Sequence, residues 1–256
     1  MEKTYELIDG KRSVRSNILQ KISDYRENVI EIHSKYIKSP YLEILGGIVF
    51  GDDAISPSKE IKQSFVNSGL LHILAASGMN VAFIYTFFFF ILSRLKVKFR
   101  LSVILGMIMV IVYTFMTGLG ASIIRAACML LFVLVGKLID RDAHSVSLLF
   151  FVGLLMLLYN PLFINDVGFQ LSFIVTFGIL LMAPTVIMLK NKLLHSIIGV
   201  ISIPVIAQLW VIPVQIFYFN NISVYSIFAN IMSVPIIMIL SFGGFVSSLL
   251  AGIPII

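Results

Sequence analysis

From Gly69 onward the chain alternates long apolar stretches with short polar loops. The apolar runs fall at 70–92, 101–117, 119–136, 144–160, 167–189, 196–217 and 224–250. Runs of this length, rising 1.5 Å per residue in a helix, suit a hydrocarbon layer about 30 Å thick. The pattern therefore predicts an all-α polytopic bundle of about seven spans, some broken or re-entrant.

Residues 14–37 have a different period. Ile18, Ile22, Tyr25, Val29, Ile32 and Tyr36 recur every three or four positions, with Lys21, Asp24, Arg26, Glu27, Glu31 and Lys35 between them. One apolar stripe on a charged helix predicts docking, either on lipid headgroups or on the membrane helices. A coiled coil is the other option, though the stripe is short for one. Pro40 ends this helix. Residues 41–50 are apolar but interrupted by Glu43 and too short to cross, so an interfacial or re-entrant piece is expected. Gly51 to Ser58 reads as a loop, and Ser56-Pro57 as the start of a polar helix running towards Asn67. Met1 to Glu6 contains no apolar core of a signal peptide. The expected division is an extracytoplasmic or interfacial segment, 1–69, followed by a membrane domain, 70–256.

Charge assigns an orientation. The loop 93–100 holds Arg94, Lys96, Lys98 and Arg100, and the next, Gly118 to Gly120, holds no basic residue. Lys137 and Arg141 mark 137–143; Asn160 to Asp166 has none; Lys190 and Lys192 mark 190–195; Asn220 to Ser223 again has none. Basic residues thus occupy every second loop, the arrangement that anionic lipid and membrane potential favour on the cytoplasmic side. Residues 1–69 fall outside by this reading. Their ten Lys/Arg are matched by ten Asp/Glu, and long polar segments translocate largely regardless of charge. The net charge of +6 comes from the remainder. With 59% hydrophobic and 12% charged residues, the composition is that of a multi-pass membrane protein. Cys128 is the only cysteine, which excludes an internal disulfide.

Polar residues inside such spans are costly and mark either interhelical hydrogen bonds or a wet path. His72, Ser77 and Asn80 lie in the first run, with Gly78 placed to kink it and small residues Ala75 to Gly78 suited to close helix packing. Arg125 is the only basic residue within a span. It either snorkels outward or presents a guanidinium to phosphate oxygens in a water-filled path. Asn165 or Asp166 is placed to cap the fifth span, which then carries Gln170 and Ser172. Gln208 and Gln215 share one face of the sixth, beside Pro204 and Pro213, and the seventh carries Asn230, Ser233 and Pro235.

Several chemistries have no support. There is no GxxxxGK[ST] loop for an internal ATPase and no GxSxG elbow. His33, His72, His144 and His195 lie far apart, without metal-ligand spacing. A catalytic His72–Ser77 pair has poor helical geometry. The expectation is a protein without catalysis, cofactor or metal.

Gly69-Leu-Leu-His-Ile-Leu-Ala-Ala-Ser-Gly-Met-Asn-Val81 resembles the signature GL-x-HLLAISGLHV of the ComEC-type competence proteins. Ser122-Ile-Ile-Arg-Ala126 and Gly168-Phe-Gln-Leu-Ser-Phe173 resemble two further motifs of that family, in the same order, and the Gln208…Pro213 and Asn230…Pro235 pairs resemble weaker ones. Asn80 stands where the family usually has a second His. The resemblance covers roughly 45–250 and implies a channel passing transforming single-stranded DNA into the cytoplasm. Its path would be lined by His72, Ser77, Asn80, Arg125, Gln170, Gln208, Gln215 and Asn230. It also implies partners: single-stranded DNA, the lipid bilayer, a cytoplasmic helicase or other ATPase motor, and a nuclease and a DNA-binding domain carried separately. Self-association is compatible with it. A small-molecule or lipid-precursor transporter would use the same broken helices. The chain's apolar end, Ala251 to Ile256, suggests a fragment or a further domain downstream.

Overall fold

The structure is a computed structural model that describes residues 14–51, 54–74, 77–187, 192–219 and 225–251. The signal-peptide reading, the small residues Ala75 and Ala76, much of the 190–195 and 220–223 loops and the chain end fall outside the described residues. Among the described residues there are ten α-helices and no strand. They are α1 (Val14–Ser34), α2 (Tyr41–Phe50), α3 (Lys59–Asn67), α4 (Gly78–Arg94), α5 (Phe99–Met116), α6 (Ala121–Leu138), α7 (Ser145–Tyr159), α8 (Val167–Ile187), α9 (Lys192–Phe219) and α10 (Ser226–Ala251).

Among the described residues, four helical stretches are long and apolar enough to cross a membrane: α5, α6, Ile201–Tyr218 of α9, and α10. The stretch Val167–Met182 of α8, together with α4 and α7, is apolar but shorter. Exposed Ile104, Ile108, Ile111 and Phe115 form one face of α5, and exposed Phe150, Leu154 and Leu158 one face of α7. Such stripes are stable only against hydrocarbon.

The first run departs from a continuous helix over 70–92. Gly69, at φ +73°, takes the left-handed conformation beyond the end of α3, where Leu70 N–H returns to the Phe65 carbonyl at 2.8 Å. Leu71–Ile73 then make a single 3₁₀ turn, and α4 begins only at Gly78. His72 therefore lies before the helix that carries Asn80, and the break precedes Gly78 rather than kinking a helix around it. The start of α3 also differs from expectation. Ser58, not Ser56, caps it, its Oγ accepting from Ile61 N–H.

The core sits where α2, α4, α5, α6 and α10 meet, around Val49, Phe50, Ile84, Tyr113, Ile123 and Phe245. Tyr113 and Phe245 pack edge to face at 5.3 Å. The short α2 is buried from Gly46 to Phe50. Small residues make that possible: Gly244 of α10 lies directly against Val49, and Gly47 faces the Leu74 carbonyl. The C-terminal half of α10 reaches Asn80 on α4, Tyr113 on α5 and Tyr25 on α1. Helices α8 and α9 form the most extensive pair, with Trp210 seated over Gly178 and its Nε1–H donating to Met182 Sδ at 3.2 Å.

Helix α1 docks on the membrane helices, one of the two expected placements. Val29 is buried in the core, Tyr25 donates its hydroxyl to the Ser248 carbonyl at 2.8 Å, and buried His33 meets the Ser247 hydroxyl at 2.9 Å. Tyr36 lies past the helix end and is exposed, so the stripe is shorter than its sequence pattern.

Candidate functional site

The N-terminal ends of α4, α6 and α8 converge. Gly78 is the first residue of α4, Ser122 the second of α6 and Gly168 the second of α8. A Cβ on Gly78 would stand 2.8 Å from Ala126 Cβ, 3.0 Å from Arg125 Nη2 and 3.1 Å from the Ser122 carbonyl. Only a glycine lets α4 approach α6 this closely. Ser122 Oγ in turn donates to the Gly168 carbonyl at 3.2 Å. The three sequence motifs, distant along the chain, thus form one junction.

Helix N-termini leave amide N–H groups unpaired and concentrate about half a positive charge each. Asp166 answers this need on α8, where its Oδ1 accepts from Phe169 N–H at 2.6 Å, the expected N-cap. Neither Ser77 nor Gly120 makes a side-chain cap for α4 or α6. No side-chain cap therefore competes with an anion at those two ends.

Arg125 adds a full charge to this pole. Its guanidinium lies beside Gly78, with Cζ 5.9 Å from the centre of the Phe173 ring. Its Nε is buried without a hydrogen-bond partner among the described residues. A cation placed against helix N-termini is unfavourable by itself, so the arrangement favours a negatively charged visitor.

Asn80 occupies the inner wall. It is buried, donates through Nδ2 to the Ile48 carbonyl at 2.9 Å, and accepts at Oδ1 from Ser241 Oγ at 3.1 Å and Ser77 Oγ at 3.4 Å. These bonds tie α4 to α2 and α10, so Asn80 holds the junction's frame. Ser241 and the buried end of α2 were missed by sequence reasoning. The recurrence of Ser241, Gly244 and Ser248 along one face of α10 was the available signal.

The remaining predicted residues lie in other groups. His72 sits against the Asn230 side chain, and Asn230 Nδ2 donates to the Ser226 carbonyl at 2.8 Å. Close by, an apolar hollow of about 160 Å³ is lined by Ile48, Leu70, Ile73, Ser233 and Ile237. Gln208 donates to Gln215 at 3.3 Å within α9, confirming a shared face. Gln170 Nε2 donates to the Ile164 carbonyl at 2.8 Å and so braces the loop before α8. The structure brings Ser77 and Asn80 together, with Arg125 beside the intervening Gly78, and His72 with Asn230.

Among the described residues, an all-helical architecture with four membrane-capable helices, joined where three sequence motifs meet, is that of a membrane protein. A sequence model described as Competence protein matches residues 48–255. The chain belongs to this family, the ComEC-type competence proteins. It is similar to ComE operon protein 3 of Bacillus subtilis, 27% identical over 219 residues, covering 86% of this chain and 28% of that protein. It is also similar to an uncharacterized protein of Aquifex aeolicus, 32% identical over 177 residues, covering 69% of this chain and 39% of that one. The chain therefore spans well under half the length of these relatives. No solved structure matches it.

Proposed function

We propose that this chain is the membrane passage through which one strand of transforming DNA enters the cytoplasm. The family supports a role in competence. The observation that carries the finer reading is the Arg125 guanidinium, its buried Nε without a hydrogen-bond partner among the described residues, at the junction of the α4, α6 and α8 N-termini. Free helix amides and a delocalised planar cation are both good partners for phosphate oxygens. The junction lies beside Gly118 to Gly120 and Asn160 to Asp166, loops without Lys or Arg, so it faces outward by the charge rule. A strand would meet this pole first and the basic loop 93–100 last.

Each phosphate moved inward works against the membrane potential, at about 2.3 kcal/mol per 100 mV. The chain holds no nucleotide-binding loop, so a cytoplasmic motor must supply that work. Weak successive anion sites lower the barrier without trapping the strand. Replacing Arg125 with Ala tests the reading. Transformation should be lost with protein abundance unchanged, and a stalled strand should crosslink at Ser77 and Arg125. Wild-type uptake by Arg125→Ala, or transport of a small solute with no DNA-dependent conductance, would overturn it.

A further inference from the structure

Between α1 and the last turns of α5 lies a second hollow, of about 390 Å³, lined by residues other than those of the motif junction. Ile22 and Tyr25 form one wall, and Ile111, Val112 and Phe115 the other. Lys21 stands at its rim and is the one charged residue lining it among the described residues. The α5 wall is exposed in the protein, so the hollow opens sideways to whatever surrounds the bundle, which is hydrocarbon.

Its depth identifies the occupant. Ile111 to Met116 are the final residues of α5, so the groove spans about 9 Å at the end of a membrane-crossing helix. That is where acyl chains give way to headgroups. An apolar slot with one lysine above it matches a molecule with an apolar tail and an anionic head. We propose that this groove is a binding site for an anionic membrane phospholipid. An acyl chain lies between α1 and α5, and the headgroup phosphate sits on the Lys21 ammonium. Lysine acts here as a compact cation on a flexible apolar stem, which follows the groove wall before reaching the phosphate. The lipid is a wedge that completes the seat of α1, because Tyr25 closes the groove while its hydroxyl is anchored on Ser248. This site is independent of the DNA reading.

The experiment uses the full chain in nanodiscs containing a phosphatidylglycerol with a photoreactive group in its acyl chain. Labelling is mapped by mass spectrometry and competed with unlabelled phosphatidylglycerol or phosphatidylcholine. Wild type should be labelled at Ile22, Val112 or Phe115, and phosphatidylglycerol should compete about tenfold better. Val112→Trp, which fills the slot from an exposed position, should remove the labelling. Ile108→Trp, one turn away and outside the groove, should not. Lys21→Glu should abolish the preference for the anionic competitor while leaving tail labelling in place. Equal labelling of Val112→Trp and wild type would overturn the proposal. So would equal competition by both lipids, or crosslinking of a second protein chain at Val112 in place of lipid. Thermal unfolding of each variant separates loss of lipid from loss of fold.

Discussion

The hydroxyl of Ser122 hydrogen-bonds the Gly168 carbonyl at 3.2 Å, joining the N-terminal turns of two helices that lie 46 residues apart in sequence. It uses an early carbonyl of α8, whose first turn is capped separately by Asp166 through the Phe169 N–H. Replacing Ser122 with Ala removes this bond and little volume. Destabilisation of about 0.5–1.5 kcal/mol is expected, near the low end if the membrane reference state re-pairs the groups. A small fall in thermal midpoint in detergent, with reduced transformation, is the expected result. An unchanged midpoint and unchanged uptake would show that the bond carries no weight.

Gly78 makes the sharper prediction. The atoms a Cβ would strike belong to the Ala126 methyl and the Ser122 backbone, neither of which can swing away. Gly78→Ala must separate α4 from α6, at a cost of about 1–3 kcal/mol. Gly120→Ala is the control, because a Cβ there meets nothing within 4 Å. Equal midpoints for the two variants would contradict the packing described above.

Much of this was legible in the sequence, for identifiable reasons. Apolar run lengths and Pro40 located the helices because lipid leaves the backbone no alternative to helix. The stripe through Tyr25 and Val29 announced a docked α1, and Asn165-Asp166 the cap of α8. What was not legible is how the runs end and cross. Nothing in 70–77 reads as a helix breaker except through Gly69, whose left-handed turn ends α3 and delays α4 to Gly78. Residues 41–50 looked peripheral because they are short, yet small residues on α10 let them sink into the core. The lining residues were inferred from polarity alone. Polarity does not distinguish Arg125, whose buried Nε has no partner among the described residues, from Gln208 and Gln215, which bond each other.

Asn80 separates framework from conduit. Its amide donates to a backbone carbonyl and its oxygen accepts from a serine, both in buried positions. Asn80→Leu strands the Ile48 carbonyl and the Ser241 hydroxyl, with an expected loss of about 1–3 kcal/mol. Asn80→Asp should be worse at neutral pH, because a carboxylate cannot donate to Ile48 and is itself buried. Thermal unfolding and protein abundance should both report the order wild type, Leu, Asp. If Asn80→Asp folds normally but blocks uptake, the residue acts on the strand directly.

The seat of α1 should respond to pH through His33. Its imidazole is buried against the neutral Ser247 hydroxyl, and loss of water holds its pKa below the ordinary 6.5. Above pH 6.5 the ring is neutral whether α1 is docked or free, and the contact contributes fully. As pH falls below that value, free α1 takes up the proton first, so docking weakens until the pH drops beneath the depressed docked value. Amide exchange in α1, corrected for intrinsic rates, should therefore be faster at about pH 5.5 than at about pH 7.5. His33→Gln keeps a hydrogen-bonding side chain and removes the titration, so its protection should not change across this range. Wild-type protection that is equally flat would show that burial of His33 does not couple to docking.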